Sequence, residues 1–191
     1  MPWVHNVKNT DMIVAIDDEE ALRIFRLFNE TAGQNYLESS GVDKNLIARL
    51  PELGISGISN LLSSIKLAKY YEMNEDDVIF TIFTDSADLY QSRLVEMNES
   101  WGNYNLKQAE IDFISVLKKQ SIDYTKELNY YDKKAIHNLK YFTWVEQQGK
   151  DVKELNAQWY DENYWQQKFT VVDKWDALIE NFNSKVGLQI E

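Results

Sequence analysis

The run Gly54-Ile55-Ser56-Gly57-Ile58-Ser59-Asn60-Leu61-Leu62 and, further on, Asn74-Glu75-Asp76-Asp77-Val78-Ile79-Phe80-Thr81-Ile82-Phe83-Thr84-Asp85-Ser86-Ala87-Asp88-Leu89-Tyr90 decides how this chain is read. It opens on a tight glycine turn. Ile58, Leu61, Leu62, Ile65 and Ala68 then recur at i, i+3, i+4 and i+7, which predicts a helix to about Tyr71 with one apolar stripe. After the polar break at 74–77, residues 78–84 form a continuous β-branched and aromatic run, too short for a helix and without the alternation of a half-wet strand. That composition predicts a buried strand covered on both faces, with the preceding helix lying on its sheet. The strand stops abruptly at Asp85-Ser86, before a second helical pattern carried by Tyr90, Leu94 and Met97.

Helix followed by buried strand is half of a βαβ crossover, so the expected fold class is α/β, a partial parallel sheet flanked by helices. In such sheets ligands gather beyond the carboxyl ends of strands, where Asp85 and Ser86 would sit. The turn Gly54-Ile55-Ser56-Gly57 can bring backbone N–H groups close to a ligand there. A plainer alternative stays open: Ser86 as a helix cap and the glycines as a simple turn.

The same residues resemble the C-terminal part of fold-type II pyridoxal-phosphate enzymes, the cysteine synthase and threonine synthase group. In that family a Gly-Ile-Ser-(Ser)-Gly turn lines the cofactor pocket, and an Asp-Ser-x-x-x-Tyr segment after the last core strand supplies a serine to the pyridine nitrogen. The resemblance therefore implies pyridoxal phosphate as cofactor, Ser86 as that serine, and Gly54, Ile55, Ser56, Gly57 and Asp85 as its neighbours in the pocket. A neutral serine does not hold the ring nitrogen protonated, which makes the ring a weaker electron sink. Elimination or replacement at the β-carbon of an amino acid is the chemistry this suits.

Upstream, Met12-Ile13-Val14-Ala15-Ile16 reads as a short strand after an irregular or extended opening at residues 2–7. Asp17 can cap a helix with Glu20 three residues on, so the acidic run 17–20 reads as a helix start, not a metal site. Ala21, Phe25 and Phe28, with Leu22 beside them, give its inward face. A short helix at 43–50 interrupts the connection from Thr31 to Pro51.

Composition excludes several functions. A net charge of −11, four arginines and no basic cluster speak against nucleic acid and anionic membranes as partners. With no cysteine and only His5 and His137, cysteine- or histidine-bound metal is not expected, nor thiolate chemistry. No apolar run reaches about 18 residues and Met1 is not followed by a signal-like segment, so a cytoplasmic location is expected and the sequons at Asn29 and Asn98 carry no weight.

Past Met97 the character changes. Residues 1–100 read as the α/β part and 101–191 as an aromatic-rich helical extension, with helices expected at 106–120, 132–147, 152–159 and 172–186, and with Gly149 and Gly187 as C-terminal stops. Tyr130, Tyr131, Tyr141, Phe142, Trp144, Trp159, Tyr160, Tyr164 and Trp165 invite a sugar-stacking or partner-groove reading. Burial against the α/β part or a second subunit is the preferred expectation. His137 is expected to be structural or exposed, not a catalytic base. The segment from Tyr131 to Gly149 is similar to the C-terminal extension of a cysteine-synthase-like branch of the same family, which extends the resemblance over nearly the whole chain.

The departures are as informative. A complete enzyme of this group needs a lysine that anchors the cofactor, an asparagine over the ring and a glycine-rich phosphate loop. No Gly-x-Gly-Gly run occurs, and no lysine has a matching context; Lys66 and Lys69 lie on the helix after the turn. No catalytic residue is assigned, and the chain is expected to be inactive alone. It reads as the product of a split gene that joins a separate N-terminal half, as a piece of a longer enzyme, or as a remnant that has lost catalysis; the start at Met1-Pro2, inside what resembles a connecting segment, suits the first two. An open piece of sheet would also need covering, by that half or by self-association. The competing function is a non-catalytic acidic interaction module that binds a partner through its aromatic helices.

Overall fold

The computed structural model describes residues 5–187, so the expected irregular opening at residues 2–4 lies outside the described part. Helices account for 68% of the described residues, and the one sheet among them is a two-stranded antiparallel pair. The expected α/β architecture, a partial parallel sheet flanked by helices, is therefore corrected to a mostly helical one. Strand β1 (Met12–Val14) pairs with β2 (Thr125–Glu127), a partner that the sequence reading did not anticipate.

The chain divides into two compact units, Ile13–Lys126 and the remainder, with the boundary falling within the β1–β2 ladder. In the first, α1 (Asp18–Asn29) starts on the Asp17 side chain, which accepts from the Glu19 N–H. Three acidic residues fill its first turn, as the dipole favours. Ala21, Phe25 and Phe28 are buried as the periodicity implies, together with Ile24 and Leu27. Helices α2 (Thr31–Ser39) and α3 (Lys44–Arg49) follow, and then α4 (Ile55–Tyr70). Ile58 and Leu62 of α4 are wholly buried, and Leu61 and Ile65 flank them. The stripe is where the period puts it, but it packs on α1, not on a sheet.

Residues 78–84 depart furthest from expectation. They form no regular structure, and Val78 and Phe80 are 87% and 88% exposed. A strand needs a neighbour to satisfy its N–H and C=O groups, and among the described residues this run has no main-chain partner. The unit is completed by α5 (Gln91–Trp101) and by α6 (Leu106–Asp112), which continues as a π-helical stretch over Phe113–Lys118.

In the second unit, α7 (Tyr130–Lys140) begins with a capping box from Asn129 and Asp132 and runs into a π-helical stretch at Tyr141–Glu146. Then come α8 (Val152–Tyr160), α9 (Tyr164–Phe169) and α10 (Val172–Val186), which Gly187 ends in the left-handed conformation. Gly149 also takes positive φ and donates to Val145 O, in keeping with a helix stop.

Candidate functional site

The fold brings the glycine turn and the Asp85–Ser86 segment together. Gly54, the N-cap of α4, is buried, and its N–H donates to the Asp85 carbonyl at 2.8 Å. A Cβ at Gly54 would lie 2.5 Å from Asp85 Oδ1 and 3.0 Å from the Tyr90 ring. A side chain at this position would have to push the Asp85 carboxylate aside. At Gly57 a Cβ would stand 3.2 Å from the Phe83 ring, and Asn60 Nδ2 donates to Ile82 O at 2.8 Å. The first turn of α4 is thus laid along residues 82–85.

Side chains tighten the junction. The Asp85 carboxylate accepts a short hydrogen bond from the Tyr90 hydroxyl and a second, at 3.2 Å, from Thr84 Oγ1. The bond to Asp85 raises the Tyr90 phenol above its ordinary pKa, with the Ser56 side chain opposing the shift. Tyr90 stands edge-on to Phe25 at 6.1 Å, and Ala87 is buried in the same core cluster, so the segment is fixed to α1. Ser86 caps the 3₁₀ turn Ala87–Tyr90: its Oγ accepts from Asp88 N–H at 3.4 Å. Ile55 is half-buried and Ser56 is exposed. All six residues singled out from sequence therefore belong to one junction, although no sheet underlies it.

The lysines of α4 have other work. Lys66 is buried and donates to the carbonyls of Ala15 and Asp123, while Lys69 donates to those of Gln120 and Lys118. Among the described residues no cluster of His, Asp or Glu is arranged to hold a metal ion. No helix of the described part is long and apolar enough to cross a membrane.

Two features escaped the sequence reading. The first is a buried polar network in the first unit: Asp112 accepts from Arg23 Nε at 2.8 Å, from Tyr104 OH at 2.8 Å and from Gln108 Nε2 at 2.8 Å. Burial and the neighbouring Asp112 charge push the Tyr104 phenol far up, so it stays a donor. These residues line a cleft of about 290 Å³ with Arg26 and Trp101, but their polar groups satisfy each other. No spacing signal links positions 23 and 112.

The second is an apolar cavity of about 500 Å³ in the second unit, between Trp144, Tyr164, Trp165, Phe169, Val172 and Trp175. The aromatic clusters foreshadowed it, and of those residues Trp144, Trp159 and Tyr164 are buried. His137 is structural, as expected; it is 3% exposed and its Nε2 lies 3.0 Å from Leu155 O. Burial, and then the Lys140 charge, lower its pKa to about 4.

Comparisons with protein-family models, with curated proteins and with solved structures found no match.

Proposed function

We propose that this chain supplies one wall of a pyridoxal-phosphate site, as the C-terminal portion or subunit of a lyase or synthase acting by β-elimination or β-replacement on an amino acid. The observation that carries this reading is the Gly54–Asp85 junction: two segments about thirty residues apart, each resembling a part of that pocket, are held in direct contact by a 2.8 Å hydrogen bond, with the Asp85 side chain lying against the glycine.

The residues present fit their part of the cofactor. Ser86 Oγ accepts from Asp88 N–H, which leaves its own proton to donate. A hydroxyl donor suits an unprotonated pyridine nitrogen, and the Ser86 backbone is fixed through Ala87 and Tyr90. When bound, the cofactor would supply the electron sink for loss of a group from the substrate β-carbon. Ser86 would orient its ring and leave the nitrogen neutral, and the Gly54 turn would let the ring edge approach the main chain. The anchoring lysine and the phosphate loop must come from an N-terminal half, because Lys66 and Lys69 are committed to main-chain carbonyls. A cytoplasmic location belongs to the same reading.

The test is the visible absorption of the chain with pyridoxal phosphate, alone and with the polypeptide encoded directly upstream. The expected result is a band of lysine-bound cofactor that appears only in the mixture and is lost when the partner's lysine is replaced. No band in either sample would end the proposal.

One observation favours the second reading, an interaction module using the aromatic helices: the 500 Å³ cavity with Trp144, Trp165 and Trp175 on its walls. Trp165→Ala would then abolish partner binding while Ser86→Ala left it unchanged. Under the first reading Ser86→Ala weakens cofactor retention in the joined enzyme and Trp165→Ala leaves it unchanged.

A further inference from the structure

The cavity of the second unit is walled by aromatic rings that its own hydrogen bonds hold in place. Trp144 and Tyr164 are buried. The Tyr164 hydroxyl donates to Glu154 Oε1 at 3.0 Å, and Trp165 Nε1 donates to Gln158 O at 3.0 Å. The Tyr164 and Trp165 rings meet edge-on, with centroids 5.2 Å apart. Rings fixed at their polar tips present their remaining faces with little further ordering cost, which favours a ligand that enters. At about 500 Å³ the space has the size of a small-molecule site.

Chemistry narrows what that ligand is. Flat indole and phenyl faces suit a flat ring system. A sugar stacked there would need hydrogen-bonding groups beside the faces, but the Tyr164 hydroxyl and the Trp165 N–H are already engaged. A cation would find those two faces taken: Lys168 Nζ lies 4.7 Å from the Tyr164 ring centroid and Lys140 Nζ 5.6 Å from that of Trp165. The charge of the lining points the other way. Lys150, Lys168 and Glu154 all border the cavity. Glu154 is shared between the Tyr164 hydroxyl and Lys168, the latter at 4.0 Å. Lys150 is exposed, and its side chain forms no ion pair with another described residue. One positive charge is left over here, in a chain of net charge −11. An anionic group beside the two lysines neutralises it.

We infer that this cavity binds a small planar aromatic carboxylate, with its rings against the indoles of Trp144, Trp165 and Trp175 and its carboxylate beside Lys150 and Lys168. The cavity lies in the second unit alone, so this ligand is independent of the cofactor proposed for the first. It also differs from the partner protein of the interaction-module reading: an apolar side chain from a partner would use the walls and have no need of the lysines.

The experiment is isothermal titration calorimetry of the whole chain with naphthoate, with naphthamide and naphthylmethylammonium as the neutral and cationic forms of the same ring, and with decanoate as an anion that lacks one. Naphthoate is expected to fill a single saturable site about tenfold more tightly than any of the other three, as for one hydrogen bond to a charged group. Lys150→Met combined with Lys168→Met should remove that advantage and leave naphthamide binding unchanged. Trp175→Ala should weaken naphthoate and naphthamide alike; Trp175 is 59% exposed, so the circular dichroism of the variant should match the parent. No saturable binding, equal affinity for the amide, the ammonium or decanoate, or full naphthoate affinity in either variant would overturn the inference. So would a dilution-sensitive dimer of the chain that naphthoate dissociates, since a second copy would then be the occupant.

Discussion

Two apolar stretches eight residues apart have opposite fates. Helix α4 buries Ile58 and Leu62 completely, whereas Val78 and Phe80 stand almost fully in solvent. Their hydrophobicity is similar; what differs is whether the rest of the chain provides a surface. A helix satisfies its own backbone and needs only one apolar neighbour, which α1 supplies. A strand needs neighbours on its edges as well as its faces, and among the described residues the only sheet, the two-stranded β1–β2 pair, does not take in this run. An apolar run therefore signals burial somewhere, without saying in which molecule.

Mutation separates the two fates most sharply. Leu62→Ala opens a cavity in the core between α1 and α4 and should cost about 3–5 kcal/mol, read from urea unfolding of the free chain. Phe80→Ala, despite removing more apolar surface, should change the same midpoint by less than about 0.5 kcal/mol. Comparable losses at both positions would mean that residues 78–84 are buried in the free chain, and the contrast would be gone.

Burial decides the behaviour of polar groups in the same way, and pH exposes it in the second unit. Burial lowers the His137 pKa from 6.5 to about 4, helped by Lys140, and lowers Lys140 itself from 10.5 to about 8. Both are bases whose folded-state pKa lies below the unfolded value, so within each window the unfolded chain binds the extra proton. Stability then rises with pH from about 4 to 6.5, and again from about 8 to 10.5. On acidification through the lower window the second unit should lose about 2–3 kcal/mol. Trp159, whose ring lies 5.1 Å from that of His137, reports this by fluorescence in urea titrations across the pH range. His137→Gln should flatten the slope between pH 4 and 6.5; an unchanged slope would place its cause elsewhere.

At the junction itself the effect is smaller. Gly54→Ala sets a methyl group against Asp85 Oδ1 and the Tyr90 ring. The Asp85 side chain can turn aside, which limits the cost to about 1–2 kcal/mol. The hydrogen bond from Tyr90 to Asp85 should be lost with it, returning the phenol toward its ordinary titration range, which ultraviolet difference spectra would follow.

The elements legible in the sequence were those whose signals are local. The stripe of α4, the Asp17 cap, the inward face of α1 and the glycine stops at 149 and 187 each follow from residues within two or three turns of one another. The sheet was misread because composition reports what a segment prefers, while strand formation depends on a partner whose position composition does not encode. The Asp112 network joins positions 23 and 112 through tertiary packing alone, so no spacing rule reaches it. The candidate site lies between these cases. Gly54 and Asp85 were both marked by turn chemistry, but their contact at 2.8 Å depends on how α4 packs against α1.

Ser86 gives the smallest effect and the most discriminating one. In the free chain its Oγ makes a single long bond, 3.4 Å from Asp88 N, at the start of a four-residue 3₁₀ turn. Ser86→Ala should therefore cost no more than about 1 kcal/mol, and less if that cap is already weak. A residue that serves only as a cap would show nothing further. A residue that also donates its proton to a ring nitrogen would reveal a second, larger consequence in the joined enzyme: faster loss of pyridoxal phosphate on dialysis and a shifted absorption maximum, with Ser86→Thr restoring part of both because it keeps the hydroxyl. The stability measurement and the retention measurement thus divide at one atom. If the alanine variant holds the cofactor as firmly as the parent, Ser86 is a cap, and residues 54–57 and 85–90 are held together for folding alone.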